Sequence, residues 1–265
     1  MLDALQGSLH YVFSGALVGL LVGLTGVGGG SLMTPILTLI FGVAPTTAVG
    51  TDLAFAAITK GIGTAAHRLH GNVKWDIVGL LCAGSLTTAT ASILVLKQLG
   101  PISKDWVHLI TFSIGVSVLL TALSLTVRAR ILEWVKKNPK KMPHGVGLKI
   151  VATVLIGGAI GLLVTISSIG AGAIGATLIL MLYPHLKTAE VAGTDIAYAV
   201  PLTALAGFGH WWLGNVDFTL LFGLLVGSVP AIWLGAKLSS TLPEKLTRTA
   251  LAITLLLVGI KLVLA

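Results

Sequence analysis

Long apolar runs separated by short polar breaks set the pattern of this chain. Runs of bilayer-crossing length cover residues 8–25, 47–69, 75–97, 105–127, 148–167, 189–213, 217–239 and 246–264. A helix needs roughly 20 predominantly apolar residues to cross a hydrocarbon core, so each run predicts a span. Two shorter runs, 31–42 and 173–183, follow glycine-rich breaks: GLTGVGGG (23–30) before the first and SSIGAGAIG (167–175) at the second. The expected fold is an all-α polytopic membrane protein with a short broken-helix hairpin in each half.

Composition agrees. Of 265 residues, 55% are hydrophobic and 10% charged, against roughly 25% charged in a soluble domain. The first ten residues, MLDALQGSLH, hold no Lys or Arg. They lack the basic start of a cleaved leader, so the first apolar run is expected to stay. The lone Cys82 reads as a small buried hydrophobe. A net charge of +8 would suggest nucleic acid, but seven of the seventeen Lys and Arg lie between Arg128 and Lys149. One juxtamembrane basic segment is a cytoplasmic orientation signal, and no nucleic-acid partner is expected.

The halves repeat. A shift of 143 aligns Gly50-Thr51-Asp52 with Gly193-Thr194-Asp195, His67 with His210, and Gly71-Asn72-Val73 with Gly214-Asn215-Val216; from Gly50 to Thr87, twelve of 38 positions are identical without a gap. The glycine break recurs one residue out of step. This divides the chain into a first membrane repeat (1–127), a basic linker (128–147) and a second repeat (148–265). Five segments per copy make the copies inverted across the membrane. With the linker in the cytoplasm, thirteen Lys and Arg then face inside and three outside; parallel four-segment copies give ten against six. The positive-inside rule therefore favours inverted repeats with both termini outside the cell membrane. Inverted repeats with interrupted helices are a recurring build of secondary transporters.

The glycine stretch invites a nucleotide-loop reading, but no Gly-Lys-Ser/Thr follows and the preceding element is a span rather than a strand. Gly15, Gly19 and Gly23 form a four-residue stripe suited to close helix packing. Gly28, Gly29 and Gly30 go further and predict a break, with Ser31 as N-cap and Pro35 in the first turn of a new helix. Irregular backbone at that depth must be buried or line a wet cavity, and a helix N-terminus there can hold an anion. Gly28, Gly29, Gly30, Ser31, Gly170 and Gly172 are thus candidate substrate contacts, weighed evenly against pure packing glycine.

Asp52 and Asp195 occupy equivalent positions early in apolar segments. Intramembrane carboxylates are costly and mark function; the plain alternative is a helix-start Asp favoured by the dipole. A neutral Asp can share a site with an anion and a charged one repels it, which makes both candidates for proton coupling. Lys60, two turns after Asp52, supplies charge to the substrate or pairs with Asp52. Thr51 and Thr194 offer hydroxyl donors. His67 and His210 read as interface residues, with proton relay the lesser alternative. Glu190 replaces the repeat's Thr47. Trp211 and Trp212 read as an aromatic belt. No His/Cys/Asp group has metal-ligand spacing, and no cofactor or catalytic residue is expected.

The GVGGGSLMTP stretch, AVGTD at 48–52, their partners SSIGAGAIG and VAGTD, and the GNVKWD and GNVDF segments resemble the TauE/SafE sulfite-exporter family over nearly the whole chain. That resemblance implies transport of a small sulfur-containing anion such as sulfite or sulfoacetate, through protein seated in a lipid bilayer. In the second copy the glycine cluster is diluted to GAGA and the Pro35 position is not proline, which points to an asymmetric site. The reading is a secondary anion transporter, not an enzyme. A passive anion channel would use the same parts. An intramembrane aspartyl protease built on Asp52 and Asp195 lacks the expected G-x-G-D and P-A-L motifs. Direction of transport and a homodimeric state stay open.

Overall fold

The computed structural model describes residues 2–25, 30–99, 104–137, 145–239 and 244–264. Ten α-helices fill it: α1 (Leu2–Thr25), α2 (Gly30–Leu39), α3 (Pro45–Leu69), α4 (Trp75–Gln98), α5 (Lys104–Lys137), α6 (Val146–Ser167), α7 (Ala173–Leu182), α8 (Thr188–Trp212), α9 (Phe218–Ser239) and α10 (Glu244–Val263). No strand occurs among the described residues. The protein is an all-α membrane protein. Five helices among the described residues (α4, α6, α8 and the Trp106–Arg128 and Phe218–Gly235 parts of α5 and α9) are both long and apolar enough to cross a bilayer. The other three long helices, α1, α3 and α10, have 24, 25 and 20 residues. The interrupted pattern of α3 comes from Asp52, Lys60, His67 and Arg68.

α5 has 34 residues, about 51 Å at 1.5 Å per residue, so it outruns the bilayer core. Its last turns, to Lys137, fall in the segment read from sequence as linker. The short α2 and α7 have ten residues each, half a span, as the two short apolar runs predict.

The halves interlock. α1 packs chiefly on α9 and, in the equivalent exchange, α6 packs on α4, while α3 lies against α8 and α5 against α10. Small residues permit the close approaches. Gly15 and Gly19 of α1 meet the backbone of Leu224 and Ser228; Gly157 and Gly161 of α6 meet Leu81 and Ser85. Both pairs run parallel. The Gly15–Gly19 part of the stripe is thus a helix-packing surface. Two helix pairs related by the 143-residue shift, α3 with α8 and α5 with α10, run antiparallel where they pack. Leu53 and Ala54 of α3 lie against Gly207 of α8, and Gly63 lies beside Ile196; Gly115 of α5 lies against Val263 of α10, and Leu119 against Gly259.

Candidate functional site

The duplicated Gly-Thr-Asp tripeptide does three separate jobs. Consecutive helix residues are turned about 100° from one another, so the three face three different neighbours. Gly50 and Gly193 each receive the backbone of the other half's loop: a Cβ at Gly50 would overlap the Asn215 carbonyl oxygen, and one at Gly193 the Asn72 carbonyl oxygen. Thr51 and Thr194 clamp those loops. Asp217 N–H donates to Thr51 Oγ1 over 3.1 Å, and Lys74 N–H donates to Thr194 Oγ1 over 3.0 Å. The loops themselves are helix terminators. Asn72 N–H closes on the His67 carbonyl and Asn215 N–H on the His210 carbonyl, with Gly71 (φ 69°) and Gly214 (φ 77°) in the left-handed conformation that ends a helix. This accounts for most of the repeated His…Gly-Asn-Val signal as a structural joint between the halves.

The third residue of each tripeptide turns toward the breaks. Asp52 is fully buried, and Thr34 Oγ1 of α2 donates to its Oδ2 over 2.6 Å. The Ser168 hydroxyl, from the second half's break, acts on the same carboxyl group, although neither it nor Asp52 Oδ1 makes a hydrogen bond. Ser168 is the only non-glycine with positive φ among the described residues, at 61°, an uncommon geometry outside glycine. It ends α6, and Gly170 and Gly172 (φ 132° and 137°) carry the chain into α7.

Asp195 is 3% exposed. Its Oδ1 and the Tyr198 hydroxyl both face Gly175 in the first turn of α7: a Cβ there would overlap Oδ1 and lie 2.6 Å from the hydroxyl oxygen. The Gly172 backbone faces the carboxyl group as well. An acidic side chain thus sits at the N-terminal turn of the half-length helix, where the helix dipole and unpaired N–H groups favour negative charge.

Lys60 joins the two. It leaves α3 of the first half and donates from Nζ to the Ala171 carbonyl in the second half's break, over 3.2 Å. Both Asp52 and Asp195 lie within its Coulombic reach. Two carboxyl groups, one ammonium and a helix break from different segments therefore lie near one another at the interface of the halves, with no direct ion pair between Lys60 and either carboxyl group. The cluster is not symmetric. The repeat equivalent of Lys60 is Thr203, whose hydroxyl donates to its own helix at Ala199, and that of Tyr198 is Phe55. Thr177, equivalent to Thr34, bonds Ala173 and Ser124.

Of the residues singled out from sequence, the structure brings Asp52, Asp195, Lys60, Gly170 and Gly172 together. Thr51 and Thr194, both fully buried, have their hydroxyls on the loops. Ser31 is buried in the first turn of α2, which Gly30 opens. Gly28 and Gly29 lie outside the described residues. Thr34, Ser168, Ala171 and Tyr198 are the members that sequence reading missed. Thr34 and Tyr198 had a signal: polar groups in apolar runs, one turn from Ser31 and from Asp195. Ala171 contributes only a carbonyl and had none.

His210 holds structure, whereas the buried Nδ1 of His67 makes no hydrogen bond. His210 is 3% exposed, and its Nε2 lies 2.9 Å from the Thr165 carbonyl in the last turn of α6, where helical partners run out. Glu190 ion-pairs with Lys74 at 2.7 Å and accepts the Lys187 N–H. Trp211 and Trp212 are half exposed, with Lys97 Nζ 3.5 Å from the centre of the Trp212 ring.

Comparison with known proteins gives one consistent answer. Residues 11–262 match the family described as Sulfite exporter TauE/SafE. Among curated proteins, the chain is 34% identical over 257 residues to the probable membrane transporter protein YjnA of Bacillus subtilis, covering 97% of this chain and all of that one. It is 29% identical over 246 residues to YdhB of the same organism, also named a probable membrane transporter, covering 93% and 96%. A more distant relative, the probable membrane transporter protein MJ0441 of Methanocaldococcus jannaschii, is 23% identical over 270 residues, covering 96% and 94%. No solved structure matches.

Proposed function

Because the chain belongs to the sulfite exporter TauE/SafE family and is a membrane transporter, we propose that it is a secondary transporter of a small oxyanion of the sulfite or sulfonate class, coupled to protons through Asp52 and Asp195. The observation that carries this reading is the Asp195 carboxyl group at the N-terminal turn of α7. An incoming anion needs the same features: free N–H groups at a helix start and a nearby ammonium, Lys60. A charged Asp195 competes with it. A protonated Asp195 does not, so proton and anion bind together and move in the same direction. Net direction then follows the sum of the two gradients.

The antiparallel packing of α3 on α8 and of α5 on α10 supports the inverted-repeat reading, in which the two breaks exchange roles as the site opens to either face. A channel would use the same residues without obligatory proton movement. Proteoliposome flux against an imposed pH gradient separates them: the transporter accumulates anion in response to the proton gradient alone, whereas the channel only dissipates an anion gradient.

A further inference from the structure

The two ends of the molecule share a backbone plan but not a charge pattern. At one end, the N-terminal ends of α4, α6 and α8 wall an open cleft of about 520 Å³. Lys74, Asp76, Lys149, His185, Lys187 and Glu190 line it. Lys74 and Glu190 neutralise each other at 2.7 Å. Lys149 and Lys187 bring two further ammonium groups against the one remaining carboxylate, Asp76; no carboxylate lies at ion-pair distance from either lysine among the described residues, Glu190 acts on Lys187 from further away, and the cleft keeps a net positive charge.

The equivalent positions at the other end are uncharged or acidic. A 143-residue shift takes His185 to Gly42, Lys187 to Ala44, Glu190 to Thr47, Lys74 to Asp217 and Asp76 to Thr219. Asp217 spends its carboxylate on its own helix, accepting the Thr219 and Leu220 N–H groups over 2.8 and 3.0 Å. A scaffold that keeps the Gly, Thr and Asn of the joint at both ends, yet places the basic groups at only one, does not need them for the joint.

We propose that the Lys149–Lys187 cleft is a second anion site, a loading vestibule that gathers the transported oxyanion on one face before it reaches the buried cluster. A small dianion or sulfonate suits it: the cleft is wide and open, with ammonium groups on separate walls. The anion also competes with Glu190 for Lys74, whose backbone N–H is held by Thr194, so capture acts on the strap between the halves beside Asp195. Since Lys149 closes the Arg128–Lys149 basic segment, this is the face that the positive-inside rule assigns to the cytoplasm.

The inference rests on the anion-transporter reading and is tested apart from it. Amine acylation of purified protein in lipid nanodiscs is quantified by mass spectrometry with sulfate as probe and chloride at matched ionic strength as reference. Sulfate is expected to protect Lys149 and Lys187 and to leave Lys261, at the far end, unprotected. Equal acylation in both salts overturns the vestibule whether or not any flux is found. In oriented proteoliposomes, Lys149→Gln/Lys187→Gln is expected to raise KM by about threefold to tenfold from the cleft face only, with maximal rate retained. An unchanged KM with flux intact also overturns the vestibule, whereas absence of flux in the unmodified protein overturns the transporter reading instead.

Discussion

Lys60 of the first half donates to the Ala171 carbonyl of the second half's helix break, 111 residues away in sequence. That bond ties the Lys60 ammonium to the irregular backbone beside Asp195. It gives Lys60 two roles, holding the break and balancing the carboxyl groups. Lys60→Met removes a charge-assisted hydrogen bond, worth about 1.5–3 kcal/mol, and is expected to lower the apparent anion affinity by about tenfold or more. Lys60→Arg keeps the charge and should retain part of the flux. Wild-type KM in Lys60→Met would remove Lys60 from the site.

Thr34→Val deletes the donor to Asp52 Oδ2 and keeps the side chain's shape. A buried carboxyl oxygen loses its partner, so a cost of about 1–3 kcal/mol is expected, read as a lower Tm in detergent. Thr34→Ser should restore most of it. The equivalent Thr177→Val breaks the contact with Ser124 rather than one with an aspartate, and its effect on transport should be smaller than that of Thr34→Val.

The Gly-Thr joints are predicted to be structural. Gly50→Ala and Gly193→Ala each drive a methyl group into a backbone carbonyl, an overpacking cost of about 1–3 kcal/mol or more. Thr51→Val and Thr194→Val each lose one backbone clamp, about 1 kcal/mol. Expression yield and Tm should fall in that order, with KM of surviving protein unchanged. A raised KM in the threonine variants at full stability would place their hydroxyls on the substrate.

His210→Phe leaves the Thr165 carbonyl without its side-chain donor and should cost about 1–3 kcal/mol. His67→Phe, at the equivalent but only partly buried position, where the ring Nδ1 makes no hydrogen bond, should cost less. A larger loss in His67→Phe would contradict the capping role of His210.

The elements were legible because lipid forces a simple code: spans of sufficient length, punctuated by polar or glycine breaks. Asp52, Asp195 and Lys60 were legible for the same reason, since each is expensive inside a membrane. Other features depend on which segments meet. The sequence repeat flagged Thr51, Thr194, His67 and His210 without separating joint from site; only the packing between the halves shows that the side-chain hydrogen bonds of Thr51, Thr194 and His210 are spent on backbone. Ala171 acts through a carbonyl that every residue has. That Lys149, Lys187 and His185 share one cleft depends on α4, α6 and α8 bringing their ends together, which no local pattern announces.

The most direct test of the central claim follows sulfoacetate, whose sulfonate stays charged across the working range, together with internal pH in proteoliposomes. The wild-type protein is expected to take up more sulfoacetate as the loading side is acidified, with protons entering alongside the anion, because protonation of Asp52 and Asp195 frees the helix start and Lys60 for it. Asp52→Asn and Asp195→Asn should lose that pH dependence and the accompanying proton movement. Wild-type pH dependence in both variants would contradict the account.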